Sequence, residues 1–237
     1  MPGRSDKIGM SNFGVLDVER NDFFARIEQA EFISRVYAET PLVIQKFFRQ
    51  ESGMLQKSLA GARRVLEVGC GFGRVLEWVP AEVNYAGIDI SRHYVEEAKS
   101  RNPRGDWICG DATSLPFQGG RFDAVFCVQN TLGNMEGIEE KVLSEMRRVC
   151  RPRGKVILSV YSEDSFETRR LWYDRLVDIG IFRRVWLDPV RPRVARSDTG
   201  WSSRCFDRAE VSRYFEGVSS LDITKLDSFL YFCIAKL

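Results

Sequence analysis

The chain has 237 residues, 44% hydrophobic and 29% charged, with a formal net charge of +2. That balance belongs to a folded globule with a sizeable core and excludes a fibrous or disordered chain. No stretch approaches the apolar length of a membrane span, and the amino-terminal MPGRSDKIGMSNFG lacks the continuous apolar run of a signal peptide, so a cytoplasmic protein without membrane contact is expected.

Residues 22–57 carry helical periodicity. Phe23, Phe24, Ile27, Ala30, Phe32 and Ile33 form one apolar set, Val43, Ile44, Phe47 and Phe48 a second, and Pro41 separates them. From Arg64 the pattern changes to short β-branched runs near 64–68, 85–90, 106–109, 122–128 and 155–161, alternating with helical segments. Alternation of that kind predicts a mostly parallel sheet wrapped by helices. A helix is expected after Gly73, carrying Val75, Leu76 and Val79, and another over 136–150, where Ile138, Val142, Met146 and Val149 share a face. Further helices are expected near 164–179 and from Asp207-Arg208-Ala209-Glu210, which has capping-box spacing, before two closing strands near 217–225 and 228–236. The expected organisation is an amino-terminal helical cap over 1–60 and a core over 61–237, with a lid inserted at 162–206.

The six cysteines, at 70, 109, 127, 150, 205 and 233, have neither zinc-site spacing nor the density of a disulfide scaffold. They read mostly as buried thiols, and no metal site is expected.

The first strand runs into VLEVGCGFGR, so Gly69, Gly71 and Gly73 fall on a strand-to-helix turn where backbone can approach a ligand. A dinucleotide loop reads G-x-G-x-x-G, and its last glycine would stand at Arg74, so a dinucleotide oxidoreductase is disfavoured. Glu67 at the end of strand one suits a ligand with positive charge. Asp89 ends the second strand in GIDIS, where a carboxylate can take both hydroxyls of a ribose, and Asp111 follows the third in ICGDATSLPF. Each acid also has a plain reading: a surface carboxylate, a helix cap at Asp89 or Ser91, a turn former at Asp111.

The run E-x-G-x-G-x-G, GIDIS, GDA-x-x-LPF and FDAVFC over about 64–161 resembles the successive motifs of class I S-adenosylmethionine-dependent methyltransferases. The resemblance implies a Rossmann-like, doubly wound α/β fold with seven strands, the last antiparallel. It implies S-adenosylmethionine as cofactor, with Glu67 and the glycines on its methionine part, Asp89 on the ribose, and Asp111 with Ala112 on the adenine. Cys70, Arg74, Ile90, Val128 and Gln129 complete the expected cofactor wall.

The reacting end is expected beyond strand four. Gln129 and Asn130 lie at the sheet's carboxyl edge, and with Tyr161 they are the candidate catalytic residues. The Asn/Asp-Pro-Pro-aromatic motif of amino-group methyltransferases is absent, since the position reads Val128-Gln129-Asn130-Thr131. The single histidine, His93, follows Asp89 and is expected beside the adenosine. Between Arg169 and Arg213 stand eleven arginines, no lysine and six acids. Arg191, Arg193, Arg196 and Arg204, with Tyr37, Asn130 and Trp201, are therefore the candidate acceptor-binding residues, read as part of a hairpin lid with Trp201 near its tip and suited to an anionic acceptor. The plain reading of those arginines is a solvated face with internal ion pairs. The chain is thus expected to methylate a small molecule. The rival readings are an RNA methyltransferase, for which no appended RNA-binding module is visible, and a non-catalytic S-adenosylmethionine-binding regulator.

Overall fold

The computed structural model describes residues 23–24 and 31–237, with side chains from Ser34 onward in the first helix. Ile27 and Ala30, and the side chains of Phe32 and Ile33, lie outside the described residues, as does most of the expected amino-terminal cap before residue 31.

Five strands, β1 (Arg64–Val68), β2 (Asn84–Asp89), β3 (Asp106–Cys109), β4 (Phe122–Cys127) and β5 (Cys150–Tyr161), are joined by parallel pairing. The carboxyl-terminal pair, β9 (Ser220–Leu226) and β10 (Leu230–Lys236), completes a seven-stranded sheet in the order β3-β2-β1-β4-β5-β10-β9, and β10 runs antiparallel to β5. This is the Rossmann-like fold expected from the sequence. Strand order reverses between β1 and β4, which opens a crevice at the carboxyl edge of the sheet.

Period-two alternation decides which side chains go to which face. Val65, Ala124, Phe126, Ile157 and Phe232 join one apolar cluster, and their neighbours Leu66, Val125, Cys127, Leu158 and Cys233 join the other. The first cluster is covered by α2 (Leu42–Ser58) through Ile44, Phe47 and Leu55, and by α5 (Phe166–Asp178) through Trp172 and Leu176. The second is covered by α4 (Glu139–Val149) through Val142, Leu143 and Met146, and by α6 (Arg208–Tyr214) through Val211. A short α1 (Glu31–Ala38) precedes α2, and α3 (Arg92–Arg101) links β2 to β3. All six cysteines are free thiols, and only Cys109 is partly exposed.

Three expectations need correction. The helix after Gly73 is a single 3-10 turn, Arg74–Trp78, because Pro80 follows immediately and leaves no room for further turns before β2. Helix α4 begins at Glu139 rather than at 136, with Ile138 at its cap, and a separate 3-10 turn, Thr131–Asn134, precedes it. The inserted hairpin is a three-stranded sheet, β6 (Val185–Leu187), β7 (Val194–Ser197) and β8 (Ser202–Arg204), ordered β6-β7-β8. Its first strand was hidden in the arginine-rich stretch.

Candidate functional site

A cavity of about 1220 Å³, counting the space open to solvent, lies in the crevice at the carboxyl ends of β1 to β4. Glu67, Gly69, Cys70, Gly71, Arg74, Asp89, Ile90, Asp111, Ala112, Val128 and Gln129 all line it. These are the residues expected on the cofactor wall, save Gly73. That glycine holds φ +84°, and a Cβ there would strike the Trp107 ring at 2.4 Å, so its role is packing. Gly71 differs. Its φ is +51°, and a Cβ would project into open space, which leaves a gap in the cavity wall that a ligand can fill.

The Asp89 carboxylate accepts the Gly71 N–H at 2.8 Å and the Ser91 N–H at 2.9 Å, so it fixes the glycine turn and the start of α3 together. The cap proper is Ser91, whose Oγ accepts the Tyr94 N–H at 3.3 Å. Asp111 accepts both the N–H and hydroxyl of Thr113 at 2.8 Å. Each acid thus has its structural role and a place on the cavity wall at once. Tyr94 lines the cavity; His93 does not.

Glu67 is buried and receives the Tyr85 hydroxyl. Burial pushes its carboxyl up to about 8, against the opposing pull of Tyr85 and Arg74. Glu51, fully buried on α2, and Asp89 are also raised by burial. A group protonated in the fold but ionised when unfolded contributes stability that is complete below its unfolded value and lost as pH rises through its folded value. The thermal midpoint should therefore decline between about pH 4.5 and 8, and Glu67→Gln should flatten that decline; differential scanning calorimetry across the range checks it.

After β4 the chain turns through Gln129 and Asn130, both with left-handed backbone at φ +59° and +57°. For a glutamine that conformation is strained, and the surroundings enforce it. The Gln129 N–H is shared by the Ser159 Oγ at 2.7 Å and Glu51 at 2.9 Å, while Asn130 accepts the Tyr161 N–H at 2.9 Å and donates to Ser203 at 3.0 Å. The Gln129 side-chain oxygen takes the Tyr37 hydroxyl at 3.1 Å and the Arg74 guanidinium, which lies 4.0 Å from the Tyr37 ring centre. Its Nε2 is buried and has no hydrogen-bond partner among the described residues.

A second cavity adjoins the first and shares Phe24, Tyr37, Gln129 and Asn134 with it. Its further walls include Tyr161, Trp172, Tyr173, Phe182 and Trp201, so Tyr37, Asn130, Tyr161 and Trp201 from the sequence reading meet here. Burial holds the Tyr161 phenol well above its ordinary range, which keeps it a neutral wall rather than a base. The four hairpin arginines line neither cavity. Arg191 pairs with Glu136, Arg193 with Asp207 at 2.6 Å, Arg196 with Asp188 at 2.6 Å and Glu136 at 3.1 Å, and Arg204 with Glu139 at 2.6 Å and with Glu210. The Arg196 hydrogen bond leads the causes that hold Asp188 down at about 2. These guanidiniums are thus committed to carboxylates of the chain itself, and the motivation for placing them on an anionic acceptor falls away. The sequence reading missed Glu51, Arg169 and Ser203; each enters through long-range packing that no local motif announces.

Residues 65–154 match a family model described as a methyltransferase domain, and they form β1 to the start of β5 of the Rossmann-like sheet. Among relatives, a demethylmenaquinone methyltransferase of Renibacterium salmoninarum is 37% identical over 112 residues, covering 47% of this chain and 46% of that protein. The chain therefore spans less than half of that relative's length. Among solved structures, the PH0226 protein of Pyrococcus horikoshii aligns with a TM-score of 0.66 at 21% identity, over 86% of this chain and 97% of that one. The 1,6-didemethyltoxoflavin-N1-methyltransferase of Burkholderia thailandensis, solved with 1,6-didemethyltoxoflavin and S-adenosylhomocysteine, aligns at 0.60 and 15% identity over 94% and 93%. At such identities the structures share the methyltransferase fold. Among the described residues, no helix is long and apolar enough to cross a membrane.

Proposed function

We propose that the chain is an S-adenosylmethionine-dependent methyltransferase acting on a small molecule. The observation that carries this reading is the first cavity, where the side-chain-free Gly71, the buried Glu67, and Asp89 and Asp111 line one crevice in motif order. Those groups fit the cofactor. Glu67 would face its ammonium and sulfonium charges, Asp89 its ribose hydroxyls, and Asp111 with Ala112 its adenine. S-adenosylmethionine supplies a methyl carbon on positive sulfur, which leaves as a neutral thioether once the acceptor's lone pair has taken the methyl group. The chain's own part is to bind, align and exclude water. Gln129 stands at the seam of the two cavities, its amide fixed by Tyr37 and Arg74, and sets the orientation of the acceptor.

Helix α1 on one side, and the segment 162–206 on the other, form the cover of the acceptor side, with Tyr37, Trp172 and Trp201 as its inner surface. The relatives and neighbours named for demethylmenaquinone and 1,6-didemethyltoxoflavin support a small-molecule acceptor. Internal pairing of the hairpin arginines speaks against a phosphate-gripping surface for RNA.

Methyl-labelled S-adenosylmethionine incubated with the protein and a metabolite extract should yield labelled product, and the yield should survive a chelator, since the described residues gather no group of three or more metal-ligating side chains. Tight cofactor binding with no transfer to any acceptor would favour the regulator reading. Loss of transfer with a chelator and rescue by magnesium would call for a metal-held acceptor.

A further inference from the structure

The second cavity has an apolar interior and a polar wall of hydroxyls and side-chain amides, Tyr173, Ser203 and Gln129 among them. Trp201 stacks on Phe182 with ring centres 5.3 Å apart and 29° between planes, and meets Tyr173 edge-on at 5.4 Å; Tyr37 and Trp172 close another side. Walls of that kind favour a flat ring. Behind Tyr173 and Ser203 sits Arg169, fully buried, with no carboxylate paired to it among the described residues. Its Nη1 donates to the Tyr173 hydroxyl at 2.9 Å and reaches the Ser203 Oγ at 3.5 Å, while Nε and Nη2 have no hydrogen-bond partner there.

Counting protons along this wall gives a direction. Arg169 can only donate, and the Asn130 Nδ2 also donates to Ser203, at 3.0 Å. The two hydroxyls therefore receive hydrogen bonds from the protein side. Neither hydroxyl donates to an acceptor in a bond of normal geometry among the described residues, so at least one O–H hydrogen is left for a ligand. Gln129 adds a further donor, because its oxygen is taken by Tyr37 and Arg74 and its buried Nε2, which has only the Glu51 carboxylate near it, makes no hydrogen bond of normal geometry among the described residues. Buried donors without partners cost free energy, and a buried unpaired cation costs more. A ligand that accepts hydrogen bonds and carries negative charge relieves both deficits. Aromatic cages commonly take cations, but here the guanidinium already lies 4.8 Å from the Tyr161 ring and 5.7 Å from the Tyr173 ring, so a second positive charge is opposed.

We infer that the second cavity binds a flat aromatic or conjugated ring bearing a phenolic or enolic oxygen, held by the Gln129 amide and the Tyr173–Ser203 hydroxyl pair in the field of Arg169. This rests on the methyltransferase reading and names the acceptor class for it. Arg169 acts through the two hydroxyls and is a positioning residue.

The test uses three probes of one shape on the full chain loaded with S-adenosylhomocysteine: 4-nitrophenol, 4-nitrotoluene and 4-nitrobenzylamine. Affinities come from calorimetry, and the absorption of 4-nitrophenol reports the ionisation of the bound phenol. The expected result is that 4-nitrophenol binds at least tenfold more tightly than either control, with its apparent pKa lowered on the protein. Arg169→Met should abolish the pKa shift and the preference, with Arg169→Lys partly restoring both. Trp201→Ala should weaken all three probes alike. Should Arg169→Met fail to fold, Ser203→Ala and Gln129→Leu must each cut the preference for 4-nitrophenol by several fold. Equal binding of phenol and toluene probes, or tightest binding of the ammonium probe, overturns the inference. Failure of the unmodified chain to bind S-adenosylhomocysteine in the loading step would instead overturn the methyltransferase reading, so the two failures are separable.

Discussion

Replacing Asp89 by alanine should weaken cofactor binding by about a hundredfold or more. Two effects act together. In the proposed role the half-buried carboxylate would take two ribose hydroxyls through two charge-assisted hydrogen bonds, each worth about 1.5 to 3 kcal/mol, and tenfold in affinity corresponds to about 1.4 kcal/mol. The same carboxylate also accepts the Gly71 and Ser91 N–H groups, so its loss releases the glycine turn whose shape leaves the gap in the cavity wall. The second effect reaches beyond the ribose. Asp89→Asn keeps the volume, yet one of its two terminal atoms becomes a donor facing an N–H, so it should recover only part of the affinity. Calorimetric titration of the two variants with S-adenosylhomocysteine decides the matter. An alanine variant within threefold of the unmodified chain would remove Asp89 from the cofactor site.

The strands were legible because their signal is local. A period-two pattern with β-branched residues placed β1 and β3 to the residue and β2, β4, β9 and β10 to within three positions, whereas β5 begins five residues before the expected start and β6 was not expected. The acids at strand ends followed from the strands. Local rules stopped at three kinds of feature. The 3-10 turn at Arg74–Trp78 satisfies a helical pattern in its apolar residues, and only the short span to β2 with Pro80 in it forbids the helix. Glu51 has no motif around it; it matters because α2 brings it beneath a backbone N–H that lies 78 positions later in the chain. Arg169 looked like one of eleven similar arginines, and its difference, full burial without a carboxylate partner among the described residues, exists only after α5 has packed.

The arginine-rich segment gives the clearest contrast, since composition read it as a surface for an anion and the fold makes it a clamp. Arg204 on β8 joins Glu139 at the first turn of α4 to Glu210 on α6, both nearly buried, and reaches the Tyr214 hydroxyl at 3.3 Å. It thereby ties the small sheet to the core. Arg204→Ala strands Glu139 and leaves Glu210 only the Arg193 guanidinium at 3.7 Å, both carboxylates having little access to water, which is the costly way to break a buried pair. Glu139 keeps some relief from the amino-terminal end of α4, so the loss should be about 2 to 3 kcal/mol rather than the upper limit for such pairs. For a chain of this length that lowers the thermal midpoint by roughly 4 to 12 °C. Arg204→Lys can satisfy one carboxylate but not both, and should fall between. Arg191→Ala, at an arginine whose side chain is 56% exposed, should shift stability by no more than about 0.5 kcal/mol. Calorimetric melting of the three variants gives the ranking, and S-adenosylhomocysteine affinity should stay unchanged in all, since neither arginine lines a cavity. If Arg204→Ala melts with the unmodified chain while the acceptor's KM rises, the arginine serves the acceptor and the clamp is wrong.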